Sequence, residues 1–186
     1  LTRDAFWGWG ENPMCDGEHL IVHRLRESTD IVPELDFVAE ANGILVGHII
    51  YAKAQILSPD GQKTEVLTFG PLSVLPRCQK QGIGDALIRH SVQEAARLGY
   101  RAVVIYGHPD YYPRFGFRPA LAFHLTSPDG SSPDALMALE LYAGALNGVR
   151  GKFYESSVYE VTPEEVAEFE KEFPPKEPAR LLPIEA

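Results

Sequence analysis

Along the 186-residue chain the spacing of apolar positions changes several times, and each change marks an element. In "GEHLIVHRLRES", Leu20, Ile21 and Leu25 recur at helical spacing and predict a short helix. "ELDFVAEANGILVGHIIYAKAQI" reads instead as two β-rich runs around Asn42-Gly43, the pair best suited to the positive φ angles of a tight hairpin turn. A second turn, "SPDGQ", leads into the strand "TEVLTFGPLSVL", so three consecutive antiparallel strands are expected. The period then lengthens. "GIGDALIRHSVQEAARLG" sets Ile83, Leu87, Ile88, Val92, Ala95 and Leu98 along one helical face, with Gly99 suited to the C-terminal cap. "RAVVIYG" is a continuous apolar run, as in a strand buried on both faces. Strand, helix and strand make a crossover unit, so the two strands should be parallel.

Beyond it, "YYPRFGF" predicts one short helical turn, and "LAFHLT" and "ALMALELY" are read as two strands of a closing hairpin. "TPEEVAEFEKEFPPKEP" predicts a capped acidic helix, with Thr162 as N-cap and Pro163 at the first position, ending in prolines. The order is a β-meander, one βαβ unit and a β-hairpin. That is an α/β domain with a mixed sheet, not a doubly wound one.

Composition changes this picture little. Hydrophobic residues are 45% and charged residues 23%, normal for a globular chain with a core. No apolar run approaches the roughly 20 residues of a membrane span, and "LTRDAFWGWGENP" lacks the pattern of a signal peptide. The chain begins with Leu1 rather than Met, which leaves room for a first strand upstream. Cys15 and Cys78 are too few for a disulfide framework and fit no zinc spacing, so a reducing cytoplasm is the expected compartment and no metal is expected. The net charge of -9 argues against nucleic acid. From Glu160 onward eight Glu face three Lys or Arg, so the body itself is only mildly acidic.

The loop between strand and helix carries the candidate chemistry. The first N–H groups of a helix lack intrahelical partners, and the helix dipole adds partial positive charge there. Gln79, Lys80, Gln81, Gly82, Ile83 and Gly84 lie at that point, where the two glycines let backbone approach a bulky anion. A P-loop would need Gly-Lys-Ser/Thr, but Gly84 is followed by Asp85. A dinucleotide fingerprint would need a third glycine, and Ala86-Leu87 supplies none. Tight strand-to-helix packing is the competing explanation for a bare pair of glycines.

The flanking residues give the loop a family resemblance. Gln79-Lys80-Gln81-Gly82-Ile83-Gly84, preceded by Leu72-Ser73-Val74 and Pro76, resembles the Gln/Arg-x-x-Gly-x-Gly/Ala motif of the GCN5-related N-acetyltransferase (GNAT) superfamily. "ILVGHI" resembles an earlier hairpin strand of that family, and Tyr112, Gly116 and Phe117 match its later Tyr-x-x-x-Gly-Phe element. "GHPDYYPRFGF" and "ALMALELY" resemble its YhbS-like branch of predicted acetyltransferases. The resemblance spans about residues 1–160, with 161–186 as an acidic C-terminal helix and tail.

It implies a GNAT-like fold: a mixed, mainly antiparallel central sheet with a βαβ acyl-CoA-binding unit and the family's strands 4 and 5, parallel and splayed. The anion would be the pyrophosphate of acetyl-CoA, held by the loop from Gln79 to Asp85. Leu72, Ser73 and Val74 would hydrogen-bond the pantetheine arm like an added strand. A backbone N–H near Val74 or Leu72 would stabilise the oxyanion. Pro71 gives no N–H to a ladder, so it belongs at a bulge or where pairing ends. Tyr112 matches the tyrosine that protonates the departing thiolate; Tyr111 has the wrong spacing to Gly116. The position where the family often has an Asn, seven residues before the tyrosine, is Ile105, and Pro109 and Pro113 predict a truncated helix there.

No general base is assigned. Thr68 stands near the expected position, with Glu65 upstream, and His108 is read first as a structural histidine. His19 and His23, one turn apart, have no third ligand at a matching spacing and are read as surface or packing residues; Cys78 is read as a small turn residue. The expected activity is acetyl transfer from acetyl-CoA to an unidentified amine by direct attack in a ternary complex, with neither nucleic acid nor membrane as partner. The alternative is a non-catalytic acyl-CoA-binding sensor or interaction module. Phe6, Trp7 and Trp9 are candidates for an acceptor cleft or for a packing cluster. The C-terminal helix has three roles open to it: capping the acceptor side, a homodimer contact, or, by default, solvating the tail.

Overall fold

The computed structural model describes residues 1–8 and 14–179. Two helices open the chain, α1 (Thr2–Ala5) and α2 (Glu18–Glu27), followed by the strands β1 (Phe37–Ala41), β2 (Ile44–Leu57) and β3 (Lys63–Val74). The crossover is α3 (Ile83–Arg97) into β4 (Ala102–Tyr106). Short strands β5 (Arg118–Pro119) and β6 (Leu125–Thr126) precede β7 (Leu136–Glu140) and β8 (Gly151–Tyr154), and α4 (Pro163–Glu170) comes last.

The sheet runs β5-β7-β4-β3-β2-β8-β6, with β1 also on β2. The meander is as expected: β1, β2 and β3 pair antiparallel, and Asn42 (φ 52°) and Gly43 (φ 75°) make the predicted hairpin turn. Helices cover both faces. α3 packs Leu87 and Ile88 against Ile49, Tyr51, Leu67 and Val103, whereas α2 packs Val22 and Leu25 on Ile50 and Ala52 of the other face. Gly47 lets α3 come close, since a Cβ there would lie 2.8 Å from Ile83 Cγ2 and 3.0 Å from Leu87 Cδ1.

The closing hairpin is corrected. Residues Ala120–Phe123 form a 3-10 turn that ends at His124 in the left-handed region, so only Leu125–Thr126 of "LAFHLT" is strand. β6 pairs parallel with β8 at the far edge, and β7 pairs antiparallel with β4 and β5 instead. The default reading of the C-terminal helix is corrected as well. α4 has the predicted cap, with Thr162 and Glu165 forming a capping box, but it docks on α1 and α2 instead of merely solvating the tail. Arg3 Nε donates to Glu170 Oε1 (2.8 Å), Arg24 pairs with Glu165 (2.7 Å), and Phe169 stacks on His19 and His23 at 5.2 and 4.9 Å between ring centroids. His19 is thus a buried packing residue. Trp7 packs with Arg3 and Lys176; Trp9 lies outside the described residues.

Candidate active site

β3 and β4 pair parallel at a single point, Leu67 with Val103. Beyond it they separate, and a cleft of about 780 Å³ opens between them. These are the splayed parallel strands expected of the family's fourth and fifth positions.

A bulge prepares one wall. Tyr51 stands opposite Phe69 and Ile49 opposite Leu72, so Gly70-Pro71 contributes two residues against one on β2, and Pro71 sits at the interruption where its missing N–H costs no ladder bond. Past the bulge the backbone polarity is fixed. Leu75 N–H donates to Val46 O at 2.9 Å, which makes that pair a hydrogen-bonded one. Such pairs alternate along an antiparallel ladder. The N–H and C=O groups of Val74, opposite Gly47, and Leu72, opposite Ile49, therefore point away from β2 and into the gap. Ser73, opposite His48, turns its N–H and C=O toward β2 instead, and its buried hydroxyl donates to Thr2 Oγ1 at 3.0 Å.

The loop after β3 has two residues in the left-handed region, Lys80 (φ 59°) and Gly82 (φ 82°), and Gly82 is the N-cap of α3 without any side-chain cap. A chain that alternates in this way turns successive N–H groups toward one point, and the uncapped first turn adds its own. A Cβ on Gly82 would meet nothing within 4 Å, so glycine serves the positive φ there rather than close packing. Gly84 is different, since a Cβ would meet the Tyr111 hydroxyl at 3.1 Å. Each glutamine amide gives one N–H inside the loop, Gln79 to Val74 O and Gln81 to Arg77 O, each at 3.1 Å. Asp85 accepts from the Tyr111 hydroxyl at 2.8 Å and ties α3 to the turn after β4. Lys80 is left as an exposed cation with no ion pair among the described residues. Ile83 packs inward against the core.

The other wall carries the tyrosine. The expected truncated helix is a 3-10 turn, Tyr112–Phe115, ending at Gly116 with φ 95°. The Tyr112 ring lies against Gly107, where a Cβ would be 2.4 Å from ring carbon Cε2. Its hydroxyl has no hydrogen-bond partner among the described residues, and burial pushes its pKa up to about 12. Ile105, in the family's Asn position, is buried in the core. His108 lines the cleft, and its Nδ1 accepts the N–H of Asp110 at 3.3 Å, as a structural turn residue does.

The residue that sequence reading missed is Glu155. It follows β8, a four-residue strand set on the end of β2 by pairing Phe153 with Ile56. Its carboxylate reaches the cleft and accepts from Thr68 Oγ1 at 3.2 Å. Burial raises its pKa, against the smaller lowering by that hydrogen bond. Tyr159 lies beside it, with its hydroxyl donating to Gly70 O at 3.2 Å. Phe6, Glu18 and Ile21, from α1 and α2, complete this side of the cleft. Thr68 was the one signal in the sequence, since it stands near the position expected of a base and Glu155 comes to rest against it.

The cleft thus sets an unbonded phenol and a half-buried carboxylate around strand-edge amides, next to the uncapped first turn of α3. The arrangement suits acyl transfer from a phosphate-bearing thioester.

Known proteins share this plan. The model of the Acetyltransferase (GNAT) domain matches residues 34–119. The chain is 30% identical over 137 residues to the uncharacterized N-acetyltransferase YhbS of Escherichia coli K12, covering 73% of this chain and 79% of that one. It is 35% identical over 100 residues to the uncharacterized N-acetyltransferase YjhQ of the same strain and spans about half the length of that relative, 54%. The crystal structure of E. coli YhbS in complex with CoA superimposes with a TM-score of 0.70 at 28% identity, over 84% of this chain and 83% of that one. A GNAT family acetyltransferase from Brucella melitensis in complex with acetyl-CoA gives 0.68 at 26% identity, over 86% and 88%.

Proposed function

The chain belongs to the GNAT acetyltransferase family, and we propose that it moves an acetyl group from acetyl-CoA to an amine by direct attack in a ternary complex. One observation carries this reading: Glu155, Tyr112 and the outward backbone of Leu72 line a single cleft. Similarity to proteins solved with CoA and with acetyl-CoA supports the choice of acyl donor.

In this reading the uncapped turn of α3, with Lys80, Gly82, Ile83 and Gly84, holds the pyrophosphate by backbone N–H groups and one side-chain cation. Leu72 and Val74 hold the pantetheine arm as a further strand would. Glu155 takes a proton from the incoming ammonium, and burial suits it to that work by raising its proton affinity. The freed amine nitrogen bonds to the acetyl carbon as the carbon–sulfur bond breaks, and it sheds its surplus proton to solvent through the open cleft. A strand-edge N–H of Leu72 or Val74 stabilises the charge that builds on the carbonyl oxygen. Tyr112 gives its phenolic proton to the leaving sulfur and is reprotonated from solvent through the open cleft. No metal enters this scheme.

The test is thiol release from acetyl-CoA against a panel of amines. Amine-dependent release that falls sharply in Tyr112→Phe supports the reading. A wild type that binds acetyl-CoA but transfers to no amine would point to the non-catalytic sensor instead.

A further inference from the structure

Glu18, on α2, and Glu155 open on the same cleft, and neither has a Lys, Arg or His partner among the described residues. Glu155 has the Thr68 hydroxyl at 3.2 Å, and Glu18 has the Cys15 thiol, Sγ to Oε2 3.2 Å. Burial pushes the Cys15 pKa up to about 11, so that thiol stays neutral and gives Glu18 a hydrogen bond but no positive charge. No Lys or Arg stands among the described residues that line the cleft. A carboxylate in an apolar site is costly without a cation, and here two share one cleft, with Phe6 and Ile21 beside them.

Such a wall repels an acceptor that bears its own carboxylate and has no Lys or Arg to receive one. It suits a molecule with a positive charge at each end and methylenes between. We propose that the acceptor is a small amine with a second positive charge, a diamine whose reacting nitrogen is held at Glu155 and whose far ammonium is held at Glu18. The proposal rests on the acetyl-transfer reading above.

The experiment measures acetyl transfer to α,ω-diaminoalkanes of graded length, to monoaminoalkanes of matching length, to α-amino acids and to a lysine-containing peptide. The expected result is a kcat/KM at least about tenfold higher for the best diamine than for its matched monoamine, with the amino acids poorest. Glu18→Gln should raise the diamine KM about tenfold more than the monoamine KM. Equal rates for diamines and monoamines, an equal effect of Glu18→Gln on both, or a peptide preferred over every diamine would overturn the proposal while leaving acetyl transfer in place. If the wild type transfers to no amine of the panel, the acetyl-transfer reading falls and this proposal falls with it.

Discussion

Thr68 Oγ1 donates to Glu155 Oε1 at 3.2 Å across 87 positions of sequence. That bond puts the Glu155 carboxylate on the strand that lines the cleft, where the proposed reaction needs its general base. Glu155→Gln keeps the shape and removes the base. Turnover at neutral pH should fall about 10²- to 10³-fold, while acetyl-CoA affinity stays within about twofold. In the wild type the rate should rise with pH as Glu155 deprotonates, above the ordinary carboxylate range, because burial raises its pKa. The variant should lose that limb of the profile.

The same burial makes a stability prediction of opposite sign. The pKa of Glu155 is higher in the folded chain than its ordinary 4.5. The protonated form therefore favours folding, fully below about pH 4.5, and this contribution is lost as pH rises through the folded-state value. Glu155→Gln never ionises. Its Tm should exceed that of the wild type at pH 8 and approach it near pH 4, measured by thermal melts.

Tyr112 is held in place by the lack of a side chain at Gly107. Tyr112→Phe should cut kcat about 10²-fold with little change in KM for acetyl-CoA. Gly107→Ala would set a methyl 2.4 Å from ring carbon Cε2, so the ring must move. It should lose a comparable part of kcat with the phenol still present, and steady-state kinetics on both variants checks this.

The C-terminal helix braces α1 and α2. Phe169 stacks on both His19 and His23. Phe169→Ala should destabilise the fold by about 1–2 kcal/mol, as for a partly buried ring. It should also raise KM for the amine more than KM for acetyl-CoA, since α2 carries Glu18 and Ile21 on the cleft wall proposed for the acceptor. Chemical denaturation and two-substrate kinetics read the two effects.

What the sequence made legible was local. The Asn42-Gly43 turn, the apolar face of α3 as far as Ala95, the cap at Thr162 and the glycine loop each rest on neighbours in the chain, and the structure has them; Leu98, expected on that face, is exposed past the helix end. The closing hairpin failed because "LAFHLT" has apolar residues enough for a strand, yet most of it coils into a 3-10 turn and its last residues pair with β8 across the sheet. Glu155 was invisible for the same kind of reason. Nothing in "KFYESS" marks a carboxylate bound for the cleft; only the pairing of a four-residue strand with the end of β2 brings it to Thr68. Gln79 and Gln81 look like ligand residues in the motif, whereas their amides brace the loop.

The most direct test of the account is calorimetric titration of the folded protein with acetyl-CoA, with Gly82→Glu as control. The substitution places a side chain and a negative charge at the N-terminus of α3, on a residue with φ 82°. The account predicts micromolar-range binding to the wild type, on the order of 8 kcal/mol, and none to the variant. A folded wild type that does not bind acetyl-CoA, or a Gly82→Glu that binds it as tightly, would contradict the assignment of this loop as the acyl-donor site.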